Sequence, residues 1–386
     1  MKIIVFDLFS AQPKRGIKFH GGGEYIKAIF RVLAEKYCCY SAELELHVCY
    51  EKENYIDDWI KKILEEDKFI VHDVNSEREI VDLLYGFTGN QNVTFYTGMI
   101  YLYDKQHVKF PQQVNTIGTC HGLRLLEKPY DTYGFMYAGF YDFLKEILRK
   151  TICKKYLYKK HRNDLKNAIE NFRTIVTVSN HSMYAIKTHI PDVVDKVRLQ
   201  VLYTPMKISD CRCDTKDDGY IMMVSADRWL KNAYRGITAI DHLYSKKCIF
   251  GFKTKVFGNY PEKLKKRIKN REMFEFYGYV ESTELEQAYA CCSVFFYPTL
   301  NEGFGLPPME AMKYGKTCVV SGVCSLPEVY GESVYYCNPY DIQEMENRIL
   351  MAVNNRIERD TIDCRSNYIS KKQKEDLEKI CNLIVS

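Results

Sequence analysis

The sequence predicts an α/β protein built as two domains. Short, apolar, β-prone runs alternate with helical stretches along the chain, and turns containing glycine stand directly behind several of those runs. Runs that are apolar on both faces are what buried parallel strands require. The third observation is size: 386 residues exceed what one hydrophobic core usually supports. A hydrophobic content of 46% is ordinary for a folded chain and excludes extensive disorder.

The first half opens with a strand at Lys2–Phe9, followed by a polar, basic loop, Ser10–His20. The start is too short and mixed for the apolar core of a signal peptide, and no run approaches the eighteen or so apolar residues of a spanning helix. The chain is therefore expected in the cytoplasm. Gly21-Gly22-Gly23 precede a helix marked by Ile26, Ile29, Phe30 and Leu33. Either these glycines present backbone amides to a ligand or they only make a tight turn. The pattern is not G-x-G-x-x-G, which leaves a nicotinamide site unsupported. Further strands are expected at Leu44–Cys49, Phe69–Val71, Val93–Tyr96 and Asn115–Cys120. His121 follows the last of these, where α/β proteins display functional side chains, although a structural histidine reads the same way.

Residues 135–166 mix aromatic side chains with a dense basic set, including Lys145, Lys154, Lys155, Lys159 and Lys160. Such a segment suits an anionic membrane surface, each surface-near cation contributing about 1 kcal/mol. A solvated helix face is the plain alternative; nucleic-acid binding has no recognised module behind it. Arg173–Ser179 and Val197–Tyr203 are the last strands of this half, and Thr204–Asp218 is the expected linker. Fifteen cysteines, with no Cys-x-x-Cys pair, read as reduced thiols acting as small apolar residues, and no zinc spacing is present.

The second half opens with a strand at Tyr220–Val224 that leads to Arg228 and Lys231 and then to a helix marked by Ile237, Ile240 and Leu243. Cations just beyond a strand's carboxyl end can neutralise a diphosphate, with Arg235 able to replace one of them; solvated surface cations are the alternative. Thr254–Gly258 and Phe274–Gly278 add strands around a basic helix, Glu262–Asn270. Tyr279-Val280 and a short helix, Glu284–Ala290, come next. Ser293–Pro298 and Thr317–Ser321 enclose the richest stretch, LNEGFGLPPMEAMKYG. Its helix should open at Pro307 or Pro308 and stop before Gly315. Ser325-x-x-Glu328 has the form of a capping box, and a last helix covers about Lys371–Val385.

Gly303 and Gly305 let backbone amides approach an anion closely, and the start of the following helix adds partial positive charge. Glu302 and Glu310 would repel a phosphate unless they accept hydrogen bonds from hydroxyl groups. Two hydroxyl-binding carboxylates around a diphosphate seat describe a nucleotide sugar. Alternatively Glu302 is solvated and Glu310 only favours the helix dipole in the first turn.

Glu302–Glu310 with GFGLPPM between them resembles the Glu-x7-Glu signature of family 4 retaining glycosyltransferases, which have the GT-B fold. That resemblance implies two Rossmann-like domains facing each other across a cleft. An acceptor domain would span 1–204, a nucleotide-sugar domain 219–370, and a tail helix, 371–386, could pack back on the first. It gives Glu302 the sugar hydroxyls, Phe304, Gly305 and Leu306 the sugar and diphosphate, and Glu310 the ribose. Arg228 and Lys231 would take the leaving diphosphate, with closer spacing than the family usually shows. Tyr279 and Val280 would meet the base, and Gly22, Gly23 and His121 would reach the donor from the first domain. The implied reaction is retaining transfer of a hexosyl unit from a nucleoside diphosphate sugar to a hydroxyl of a saccharide or lipid-linked saccharide, in polysaccharide or glycolipid assembly. It would need neither a metal nor another cofactor, and no D-x-D between apolar strands is present. Other readings are an epimerase or phosphorylase on the same fold, or a silent membrane-surface binding module.

Overall fold

The computed structural model describes residues 1–386 apart from 14–20, 41–42, 67, 88, 90–91, 105–107, 138, 140, 142–143, 146, 149–152 and 207–215, with 37–40 described in backbone only. The chain divides into two compact units, residues 1–123, 158–208 and 371–386 in the first and 124–157 and 209–370 in the second. The segment 124–157, assigned from sequence to the first domain, thus groups with the second unit.

The first unit holds seven strands, β1 (Lys2–Asp7), β2 (Leu44–Tyr50), β3 (Ile70–Asp73), β4 (Val93–Thr97), β5 (Asn115–Cys120), β6 (Thr174–Thr177) and β7 (Arg198–Val201). They run parallel in the order β3-β2-β1-β4-β5-β6-β7. Ile4, Val5 and Phe6 of β1 are all buried, as a strand covered on both faces must be. Gly21–Gly23 lie within the first turn of the helix Gly21–Tyr40, not in a loop ahead of it.

The second unit holds β8 (Tyr220–Met223), β9 (Lys253–Phe257), β10 (Phe274–Tyr277), β11 (Val294–Tyr297), β12 (Thr317–Ser321) and β13 (Tyr335–Cys337), parallel in the order β10-β9-β8-β11-β12-β13. In each sheet the winding reverses once, between β1 and β4 and between β8 and β11. In doubly wound sheets such a reversal, at the carboxyl ends of the strands, is where ligands bind. The helix Ala233–Ser245 lies close over the second reversal: a Cβ on Gly236 would stand 2.7 to 3.0 Å from Met223, Pro298 and Phe296.

Several elements differ from the sequence expectation. β13 was not foreseen, since three residues make no readable run. The basic helix stops at Glu262–Lys265, where only Leu264 is buried and no apolar stripe exists to extend it. The final helix is longer, Arg359–Val385, and continues from the second unit into the first.

Within the first unit, that last helix is fastened to the end of β7. The buried Asp376 carboxylate accepts the Tyr203 N–H at 3.0 Å and pairs with Lys372 and Lys379, while the Gln373 side-chain amide donates to the Thr204 carbonyl at 2.6 Å. Replacing Asp376 with alanine leaves a buried N–H without its acceptor and should cost about 2 kcal/mol. Urea unfolding at neutral pH reads that loss, and an unchanged midpoint would contradict the fastening role.

Candidate functional site

The site is built from two loops on either side of the reversal in the second sheet. After β8 the chain turns through Ser225 and Asn232, both with left-handed backbone (φ 55° and 59°), and between them a short 3-10 turn, Trp229–Lys231, directs Lys231 inward. After β11 the chain continues as Pro298–Gly305. Backbone and side-chain bonds join the two loops: Leu300 N–H donates to the Leu230 carbonyl at 2.9 Å, and the Asn232 side-chain amide donates to the carbonyls of Pro298 (2.9 Å) and Pro339 (2.7 Å). Lys231 and Glu302 meet at this junction.

Their side chains are 9% and 12% exposed, and the ammonium donates to Glu302 Oε1 and, at 2.6 Å, to the Tyr297 hydroxyl. Tyr297 in turn donates to Glu302 Oε1 at 2.7 Å, and the Thr299 hydroxyl lies 3.0 Å from the same atom. Burial by itself would raise the Glu302 pKa, but the Lys231 charge and these donors hold it below the ordinary carboxylate value. Glu302 is an ionised, positioned acid, which excludes the solvated alternative. Burial pulls Lys231 down, opposed by Glu302 and reinforced by the like charges of Arg228 and Arg124. Burial and Glu302 push the Tyr297 phenol well up, so it stays a neutral donor.

All three donors converge on Oε1, leaving Oε2 without a hydrogen-bond donor among the described residues. The Glu302 carbonyl is held by the Ser325 hydroxyl at 3.2 Å. That contact replaces the capping box expected at Ser325-x-x-Glu328: Ser325 makes no side-chain cap bond to its own helix, Leu326–Tyr330.

The turn Gly303–Gly305 ends in a left-handed Gly305 (φ 87°), where a Cβ would lie 2.5 Å from Leu326 Cδ2, so glycine is required on both conformational and steric grounds. The helix Leu306–Met312 begins one residue before the prolines, which occupy its second and third positions. Pro307 and Pro308 have no N–H, and the Met309 N–H is taken by the Tyr330 hydroxyl at 3.1 Å. Pro307, Pro308 and Met309 thus leave no backbone N–H for an anion. Glu310, expected in the first turn, is the fifth helical residue; it is half-buried and hydrogen-bonded by the Tyr289 hydroxyl.

Arg228 is exposed, reaching the Ser225 hydroxyl at 3.2 Å. Arg235 cannot replace either cation. It is buried, its two outer nitrogens bonded to Asp131 at 2.9 and 3.2 Å, and its guanidinium lies over Tyr133. Tyr279 and Val280 follow β10, two strands from β8, with Tyr279 62% exposed.

In the first unit, His121 follows β5 and its Nε2 lies 2.9 Å from the Gly98 carbonyl. A carbonyl only accepts, so Nε2 carries the proton. The ring stands edge-on to Tyr25 at 4.8 Å, two residues after Gly23 on the same helix. Within either unit taken alone, no three His, Cys or carboxylate groups of the described residues converge closely enough to hold an ion.

Residues 214–372 match the family model described as "Glycosyl transferases group 1". The serotype-specific mannosyltransferase WbdA of Escherichia coli is 41% identical over 76 residues, 20% of this chain and 9% of that protein. The O-antigen chain mannosyltransferase RfbU of Salmonella typhimurium is 27% identical over 217 residues, 54% of this chain and 58% of that one. The chain thus spans less than two thirds of these curated relatives. Among solved structures, a sucrose-phosphate synthase from Thermosynechococcus elongatus superposes with a TM-score of 0.65 at 13% identity, covering 99% of this chain and 98% of that one. Anabaena HepE in complex with UDP gives 0.62 at 14% identity with complete coverage of both chains. The fold is GT-B.

The pairing at the junction has a thermodynamic signature. Lys231→Met leaves a buried charged carboxylate and should cost about 3 kcal/mol, while adding Glu302→Gln recovers part of that loss. Denaturant unfolding of the parent, both single variants and the double variant checks this; strictly additive losses would argue against the pair.

Proposed function

We propose that the chain is a retaining glycosyltransferase of the family 4 type, using the Glu302–Glu310 signature. It moves a hexosyl unit, mannosyl in the first instance, from a nucleoside diphosphate sugar to a hydroxyl of a growing saccharide. The observation that carries this reading is the Lys231–Glu302 junction at the reversal between β8 and β11, where ligands of such sheets bind. The family match over residues 214–372 covers both loops, relatives described as mannosyltransferases match in sequence, and HepE has been solved with UDP.

In this reading Glu302 Oε2 accepts from a hydroxyl of the transferred sugar. The amides of Gly303, Phe304, Gly305 and Leu306 face the sugar and diphosphate, Glu310 takes the ribose, and the backbone of Tyr279 and Val280 takes the base. Arg228 and Lys231 stabilise the charge that grows on the leaving diphosphate as the anomeric centre becomes oxocarbenium-like, which is the largest lever the protein has. Glu302 is not assigned as a nucleophile. The leaving phosphate takes the acceptor's proton from the face it departs, so configuration is retained, and the reaction needs no metal. Residues 1–123 and 158–204 supply the acceptor side.

The acceptor is proposed to be carried on a lipid, with the protein resting on the cytoplasmic face of a membrane through the exposed residues of 135–166; Phe135, Met136 and Tyr137, expected from sequence to belong to that surface, instead pack against the second unit's core. Tyr141 and Tyr156 are 80% and 68% exposed, Leu144, Ile147 and Leu148 are exposed beside them in sequence, and Lys154, Lys155, Lys159 and Lys160 are exposed as well. Among the described residues no helix is long and apolar enough to cross a membrane.

Two experiments test these readings. In a thermal-shift panel of GDP-mannose, UDP-glucose and ADP-glucose, the true donor at about 100 times its Kd should add about 2.7 kcal/mol of stability. Glu310→Ala should weaken that binding, and nucleoside diphosphate should be released only with acceptor present; release without acceptor, or an unaltered affinity, would refute the assignment. Co-sedimentation with phosphatidylglycerol vesicles should fall as salt rises and exceed that with phosphatidylcholine, and equal partition to both would remove the membrane proposal.

A further inference from the structure

The strap 124–137 comes from the first half of the sequence yet is built into the second unit. Asp131 and Arg235, with side chains 4% and 7% exposed, form a two-pronged ion pair, and Asp131 also accepts the Tyr133 N–H at 2.9 Å and pairs with Lys128 at 3.2 Å. The Tyr137 hydroxyl accepts the Tyr234 N–H at 2.9 Å, and Met136 is buried in the core with Ile221 and Ile237. A buried ion pair is expensive to form and adds little stability over an apolar pair of the same shape; what it can fix is geometry.

The fixed geometry is that of the short helix Arg124–Glu127 against the loop after β11. Glu127 Oε2 accepts from the side-chain amide of Asn301 at 3.1 Å, and Asn301, 6% exposed, directly precedes Glu302. We infer that Glu127 is a positioning residue of the donor site: by holding Asn301 it fixes where the Glu302 carboxylate stands, and so governs recognition of the transferred sugar. This rests on the reading that Glu302 meets that sugar. Arg124, one turn before Glu127 on the same helix, adds a cation whose charge reaches Lys231.

The test is calorimetric and uses the whole 386-residue chain. Its probes are whichever of GDP-mannose and UDP-glucose gives the larger thermal shift, and the matching nucleoside diphosphate. Glu127→Ala should weaken the nucleotide sugar about tenfold while changing the nucleoside diphosphate by less than about twofold, as expected for loss of one charge-assisted hydrogen bond acting on the sugar alone. Glu127→Gln keeps an acceptor for Asn301 and should restore most of the affinity. Asn301→Ala, which breaks the same bond from its other end, should repeat the alanine pattern and serves if Glu127→Ala does not fold. Equal weakening of both ligands, or none of either, would overturn the inference. Glu302→Ala is measured alongside: if it alone loses nucleotide-sugar affinity, the positioning role fails and the site reading stands, whereas if it too binds normally, the site reading itself fails.

Discussion

The junction between Lys231 and Glu302 is the constraint to which the second unit's loops are fitted. Removing a carboxylate and an ammonium from water costs several kcal/mol for each ion, and close attraction offsets this only with good geometry and further donors. Here the donors are the Tyr297 and Thr299 hydroxyls, both aimed at the same carboxylate oxygen. Holding that arrangement requires the loop after β8 and the loop after β11 to keep a fixed register, which the Leu300–Leu230 backbone bond and the two amide bonds of Asn232 provide. The charged pair is thus an effect of loop geometry as much as a cause of it.

The local balance of charge bears on the anionic ligand proposed for this place. Burial lowers the Lys231 pKa most, the Glu302 carboxylate opposes it, and the like charges of Arg228 and Arg124 add to the lowering. A ligand carrying negative charge would relieve that mutual repulsion, and the relief would be greatest when the charge is largest. In the proposed reaction that moment is the departure of the diphosphate. A site already organised in this way needs little rearrangement at the transition state, which is where electrostatic catalysis gains its advantage.

The sheets were legible in the sequence chiefly through their central strands, such as β1, β8, β11 and β12, which are buried and largely apolar on both faces. Asn115–Cys120 and Thr317–Ser321 have the same bounds in the sequence reading and in the structure, whereas three-residue β13 offered no run to read. Glu302 and Lys231 stand out in the sequence by local pattern and position. Their meeting was not legible, because it joins residues 71 apart in sequence through loops whose shape depends on Asn232 and Thr299. Arg235 shows the converse: its place beside Lys231 suggested a ligand-binding cation, but Asp131, 104 residues earlier, already holds it. Tyr297 was read only as part of an apolar strand, since nothing nearby in sequence reveals what its hydroxyl meets. Long-range polar pairing is the information that periodicity and spacing do not carry.

The path of the chain between its two units bears on how such a protein can be inherited. It passes from one unit to the other at 123–124, 157–158, 208–209 and 370–371. A recombination event that joined front and back halves of two relatives near residue 208 would separate Asp131 from Arg235 and Asp376 from Tyr203, and the hybrid would have to find compatible partners for both. The two units are therefore not freely shuffled modules here. They are bound to change together, or by substitution within an intact chain.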